Sequence, residues 1–83
     1  MLPQAIADAV IDNIAQQTSR PAGKFTIQEA QESQWPDSCL GLAGAGEFCA
    51  QVITPGWRVT VTDGKQTWIY RTDQRGKILR LEE

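Results

Sequence analysis

The chain has no histidine, which removes the commonest general base, the usual metal ligand and any Ser-His or Cys-His nucleophile pair. It has only two cysteines, Cys39 and Cys49, too few for a structural zinc site, which wants four nitrogen or sulfur ligands. No apolar run approaches the length of a membrane span, so no transmembrane segment is expected. The N-terminus lacks the charged and apolar regions of a signal peptide, which leaves a cytosolic protein or a mature piece excised from a precursor. No acidic pair stands out, so neither catalytic residues nor a cofactor or metal are expected.

What is present fits one small domain over residues 1–83. A chain this short buries a modest share of its surface, and a covalent staple would help it. Net charge is −2 but unevenly spread. Up to Trp57 only Arg20 and Lys24 oppose six acids, whereas Arg58 to Arg80 holds six basic residues against Asp63 and Asp73. A nucleic-acid surface would be more basic overall and would interleave exposed aromatics, so solvated strand faces are the better reading.

Residues 2–17 read as a helix. Leu2, Ile6, Val10 and Ile14 recur every four residues and give one apolar stripe, with Pro3 in the first turn. Pro21 and Gly23 then provide the stop and the reversal. Alternation at Phe25 and Ile27 predicts a strand from about Lys24 to Ala30, fading into polar residues. The stretches "WRVTVT" and "KQTWIYRT" flank Asp63-Gly64, the preferred pair for a two-residue hairpin. That turn pairs Val59 with Trp68 and Trp57 with Tyr70. A four-residue turn, "DQRG", then pairs Tyr70 with Leu79 and Trp68 with Leu81. Both turns place Trp57, Val59, Val61, Trp68 and Tyr70 on one face, and Arg58, Thr60, Thr67, Ile69 and Arg71 on the other. The fold expected is α+β: an N-terminal helix packed on one face of a small antiparallel sheet, in the order α-β-loop-β-β-β.

The segment "WPDSCLGLAGAGEFCAQVITPGWRV", residues 35–59, concentrates the special residues. Cys39 and Cys49 can close a disulfide, remain two buried thiols or form a redox pair. Their separation does not suit the last, and a disulfide would take much of the freedom from "LGLAGAGEF", so the disulfide is expected. It would imply an oxidising compartment such as the periplasm. Asp37 and Ser38 are placed to brace the first turn, and Trp35-Pro36 to hold it extended. "TPGW" suggests a type II turn at Pro55-Gly56, and "CAQVI" a further short strand. "GLAGAGE" lacks the order of a phosphate-binding loop.

"WPDSCLGL", "EFCAQVITPGWRV" and "WIYRT" together resemble a family of small, mostly cyanobacterial, uncharacterised domains. Their pattern is Trp-x-Asp-x-x-Leu-Gly, then Gln shortly before Pro-Gly-Trp/Tyr-Arg, then an aromatic strand. The matching positions are Trp35, Asp37, Leu40, Gly41, Gln51, Pro55, Gly56, Trp57 and Arg58. In many relatives a cysteine follows Leu-Gly; here that residue is Leu42, so the Cys39–Cys49 pair is not a family requirement. The resemblance implies an extracytoplasmic location and supplies no activity.

The function expected is therefore a non-enzymatic extracytoplasmic module, monomeric, that binds a protein partner through the braced loop. Its contact residues would be Asp37, Leu40, Leu42 and Phe48, with Arg58 beside them. The competing expectations are a protease inhibitor presenting loop 39–49, and a small enzyme using Asp37 or Glu47 with Arg58. Phe48 could instead fold back as a lid over the core.

Overall fold

The computed structural model describes residues 1–82. Helix α1, Gln4–Thr18, is followed by a short 3-10 turn and four strands: β1 Thr26–Trp35, β2 Thr54–Thr62, β3 Thr67–Asp73 and β4 Leu79–Glu82. The strands form one antiparallel sheet in sequence order, with β1 and β4 at its edges. This is the α+β meander that the apolar pattern predicts.

The helix forms where its stripe demands. Ile6, Val10 and Ile14 are buried against Phe25, Trp57, Val59, Val61 and Tyr70. Each such aliphatic side chain contributes about 1.5–3 kcal/mol by leaving water. Pro3 caps the helix rather than entering it, and its carbonyl accepts from the Ile6 and Ala7 amides at 3.1 Å. At the other end the reversal falls on Ser19, not Gly23. Ser19 takes a left-handed φ of 56°, and the next amide, that of Arg20, returns to the Ala15 carbonyl. Pro21 acts one step later by preventing further helix. The Tyr70 hydroxyl donates to Asn13 Oδ1 at 2.7 Å and ties α1 to the middle of the sheet.

Both hairpins are wider than the turn dipeptides suggest. Thr62 faces Thr67, Val61 faces Trp68 and Val59 faces Tyr70, two residues away from the expected register. Across the second hairpin Tyr70 faces Leu81 and Thr72 faces Leu79, again a slip of two. One device explains both. Asp63 Oδ1 accepts from the Lys65 and Gln66 amides, and Asp73 Oδ1 accepts from those of Lys77 and Ile78. An aspartate that satisfies two loop amides favours the longer loop. Because side chains alternate with period two, an even slip leaves every residue on its expected face.

Asp63 also makes an ion pair with Arg20 at 2.8 Å. The Gln66 and Lys65 amides, helped by Arg20, hold its carboxyl down to about 2. The unfolded value is about 3.9. Since the folded pKa is the lower one, the stabilisation is fully present above that value and is lost as pH falls toward 2. Melting temperatures followed from neutral pH down to about pH 2 should show this decline, and Asp63→Asn should remove part of it. An identical acid profile for both proteins would contradict the assignment.

Strand β1 runs ten residues, further than the alternation at Phe25 and Ile27 indicates. Before the buried Trp35 its residues Gln31 to Gln34 are polar on both faces because they lie at the sheet edge, and nearer its start a bulge at Gln28 shifts the register between Ile27 and Glu29. The expected short strand at "CAQVI" is absent: Gln51 to Ile53 is irregular and exposed. Pro55 and Gly56 form no turn. They lie inside β2, paired with Gln34 and Ser33, and Gly56 lacks the positive φ that a type II turn needs. Pro55 is tolerated because it stands in the first residues of its strand.

Candidate functional site

The sheet face away from α1 carries the unusual chemistry. Register sets Gln31 beside Arg58, Arg58 beside Arg71, and Arg71 beside Arg80, so three guanidinium groups stand in one cross-strand row. Like charges directly opposite are destabilising unless countered. Glu82 supplies the counter-charge, reaching Arg58 Nε at 3.1 Å and Arg71 Nε at 2.8 Å. Glu47, from the loop, closes a two-pronged ion pair with Arg80. Hydrogen bonds from Arg58 and then Arg71 keep the Glu82 carboxyl below the usual range, and those from Arg80 and the Gly44 amide do the same for Glu47. Both carboxylates are therefore held charged and committed to arginine.

Arg71 is the centre of this arrangement. Its guanidinium lies 4.6 Å from the centre of the Trp35 ring, and its Nη1 donates to the Leu40 carbonyl at 2.7 Å. A cation over an indole face adds about 0.5–2 kcal/mol, more as water is excluded. Trp35 is itself buried, and its Nε1 donates to the Thr72 carbonyl at 3.0 Å. Cys39 and Leu40 are buried as well, so the loop's first half forms a second, smaller apolar layer over the face opposite the helix.

That half is fixed at nearly every residue. Asp37 Oδ1 accepts from the Cys39 and Gly41 amides at 2.9 and 3.0 Å. Leu40 adopts a left-handed φ of 59°, a conformation an L-residue holds only when its surroundings compel it. Its carbonyl and side chain are the parts so compelled, by Arg71 and by burial. Ser38 and Ala50 bind each other both ways: the Ser38 amide to the Ala50 carbonyl, and the Ala50 amide to Ser38 Oγ. One residue outward from each, Cys39 and Cys49 are joined in a disulfide with Cα atoms 5.6 Å apart. Asp37 lies within 4.8 Å of both sulfurs, but these are bonded to each other and its Oδ1 serves the two amides.

The loop's second half is different. Phe48 is 100% exposed, and Val52 and Ile53 are 54% and 61% exposed. Three large apolar side chains within six residues thus face water on a segment anchored at its base.

All of this geometry except Glu82 lies within residues 7–81, which match the family model described as a domain of unknown function, DUF8738. The chain belongs to that family. The DUF8738 match begins inside α1 and ends inside β4, so it spans the loop, the arginine row and the disulfide. No curated protein and no solved structure matches the chain.

Within this DUF8738 domain the residues singled out by sequence separate into two groups. Phe48 stands free of the core rather than folding back as a lid, and Leu42 is half-buried beside Gly41, Arg71 and Glu82 in an open cleft of about 550 Å³. Leu40 is 0% exposed and cannot be a contact residue; its place among the exposed candidates is corrected by its burial. Asp37 is spent on capping the loop. Arg58 does not reach the loop: it is held by Glu82, and Arg71 takes the role beside the loop that its neighbour was expected to fill. Sequence reasoning gave Trp35 only a bracing role and gave no functional place to Arg71, Glu82 or the Val52–Ile53 pair. The placing of Arg58 and Arg71 on one sheet face was a signal, because arginines gathered on one face require a nearby acid.

Proposed function

We propose that this chain is a non-enzymatic, extracytoplasmic interaction module that grips a protein partner with the apolar crest Phe48, Val52 and Ile53. The observation that carries this reading is the complete exposure of Phe48 on a loop whose base is cross-linked and hydrogen-bonded. A phenylalanine entering a partner's pocket contributes about 1.5–3 kcal/mol from area alone. Aromatic anchors of this kind dominate protein interfaces. A closed loop has little freedom left to lose on binding, so more of that energy becomes affinity. The disulfide suits an oxidising compartment, as does the resemblance to cyanobacterial extracytoplasmic domains. Glu47 and Glu82 are tuned away from the raised pKa that a general acid needs, which supports a binding role over catalysis.

The test is recovery of a partner from native envelope by the immobilised protein. Phe48→Asp combined with Val52→Asp should reduce recovery about tenfold or more and leave the melting temperature nearly unchanged, since neither side chain belongs to the core. Equal recovery by both proteins would refute the crest as the binding surface.

One observation favours a second reading, a protease inhibitor. Phe48 is a fully exposed aromatic directly beside a disulfide cysteine, the form of an anchor for a protease specificity pocket. Against it, the upstream residues Gly44 and Gly46 carry no side chains to fill the subsites of a protease beside its specificity pocket. No inhibition of serine and cysteine proteases at micromolar concentration removes this reading.

A further inference from the structure

The sheet has one long open edge. Strand β1 pairs with β2 on one side only, and at ten residues it is far longer than the other edge strand, β4, with four. Such an edge presents free backbone donors and acceptors to any extended chain. The bulge at Gln28 bends the first third, so the straight stretch available for pairing is 29–35. This stretch contains no lysine and no internal proline, two of the usual protections of an edge. Its charges are Glu29 and Glu32, both exposed, and neither forms a salt bridge among the described residues.

Those two glutamates decide the occupant. A second copy paired through this edge would bring its own Glu29 and Glu32 alongside, gathering four carboxylates on one seam, and like charges so gathered disfavour it. An extended segment with basic residues is the complement. Register adds detail: Glu29 pairs with Thr60 and Glu32 with Trp57, on opposite faces of the sheet. A matching strand therefore needs two basic side chains three residues apart, one for each face. On the helix side, the edge opens into a notch of about 670 Å³ lined by Glu32, Gln34, Gly56, Trp57, Gln74 and Arg75. A lysine amine entering it would meet the Glu32 carboxylate, with Trp57 beside it to pack on the side-chain stem.

We propose that β1 is a docking edge for an extended basic peptide segment, added as a fifth strand. This surface is distinct from the Phe48 crest and does not rest on the reading above. The probe is a blocked eight-residue peptide alternating threonine and valine, with lysine at its third and sixth positions, titrated into the nitrogen-15-labelled protein. Amide shifts should be confined to 29–35 and the adjoining notch. Glu29→Lys with Glu32→Lys should weaken binding at least about fivefold, and N-methylation of the peptide's edge-facing amides should abolish it. Phe48→Asp should leave it intact, which separates failure of this proposal from failure of the crest. Equal binding of the N-methylated peptide, no shifts in 29–35, or self-association of the chain through β1 would overturn the proposal.

Discussion

Gly56→Ala is expected to cost about 3 kcal/mol or more, the largest effect of a methyl group added at any glycine of this chain. A Cβ at Gly56 would stand 1.8 Å from the Thr72 carbonyl oxygen and 2.8 Å from its carbon, with Asp73 Cα at 2.9 Å. All three are backbone atoms, so no side chain can turn aside to make room. The oxygen in the way is also the acceptor for Trp35 Nε1. Moving β3 to admit the methyl group takes that acceptor from a buried indole, and with it the ring on which Arg71 lies. The effect should therefore spread from β2 to the loop. For a domain of this length, stability is about 0.05–0.15 kcal/mol per residue, so the loss is a large share of the total. Thermal and urea melts, with near-ultraviolet circular dichroism to follow Trp35, provide the check. A melt like that of the wild type would show that the close approach of β2 to β3 is not required.

The second large effect is expected from the disulfide. Cys39 and Cys49 are ten residues apart, and closing a loop of that size removes about 2–3 kcal/mol of freedom from the unfolded chain. Cys49→Ser should lower the melting temperature by roughly 10–20 °C, since 1 kcal/mol moves a domain this small by about 4–8 °C. The change should be local in the folded state. Ser38 and Ala50 sit next to the bridge and their mutual hydrogen bonds should weaken without it, whereas Leu40 is held from the other side by Arg71. Loss of the bridge should loosen the crest and leave the helix and sheet in place. If the variant melts with the wild type, the loop is shaped by its hydrogen bonds alone.

The readable parts of the sequence were those where burial and periodicity coincide. Ile6, Val10 and Ile14 mark the helix, and Trp57, Val59, Val61 and Tyr70 mark the sheet face it covers. The expected pairings were two residues off in both hairpins, yet no residue changed face, because only an odd slip exchanges core for surface. Less could be read where a residue's role depends on a distant neighbour. Nothing local distinguishes Gly56 as a strand glycine from a turn glycine; the reason lies in Thr72 on the next strand. The same holds for Arg71, whose importance comes from Trp35, Leu40 and Glu82, contributed by three other parts of the chain. Strand β1 was underestimated because its edge residues Gln31 to Gln34 are polar on both faces and carry no apolar alternation up to the buried Trp35. For the loop, Asp37 and the cysteines pointed correctly to a braced segment. Which of its apolar residues would be buried and which exposed was set by the contact of Leu40 with the sheet, and that contact leaves no trace in residue spacing.

The central claim is that the loop is a rigid platform, braced at its base so that Phe48, Val52 and Ile53 are held ready in water. Amide hydrogen exchange of the native protein, oxidised and then reduced and alkylated, tests it most directly. In the oxidised form the amides of Ser38, Cys39, Leu40, Gly41 and Ala50 should exchange slowly, as their hydrogen bonds require. After reduction, protection at Ser38 and Ala50 should fall while that of β2 and β3 persists. Rapid exchange of all five amides in the oxidised protein would contradict the platform.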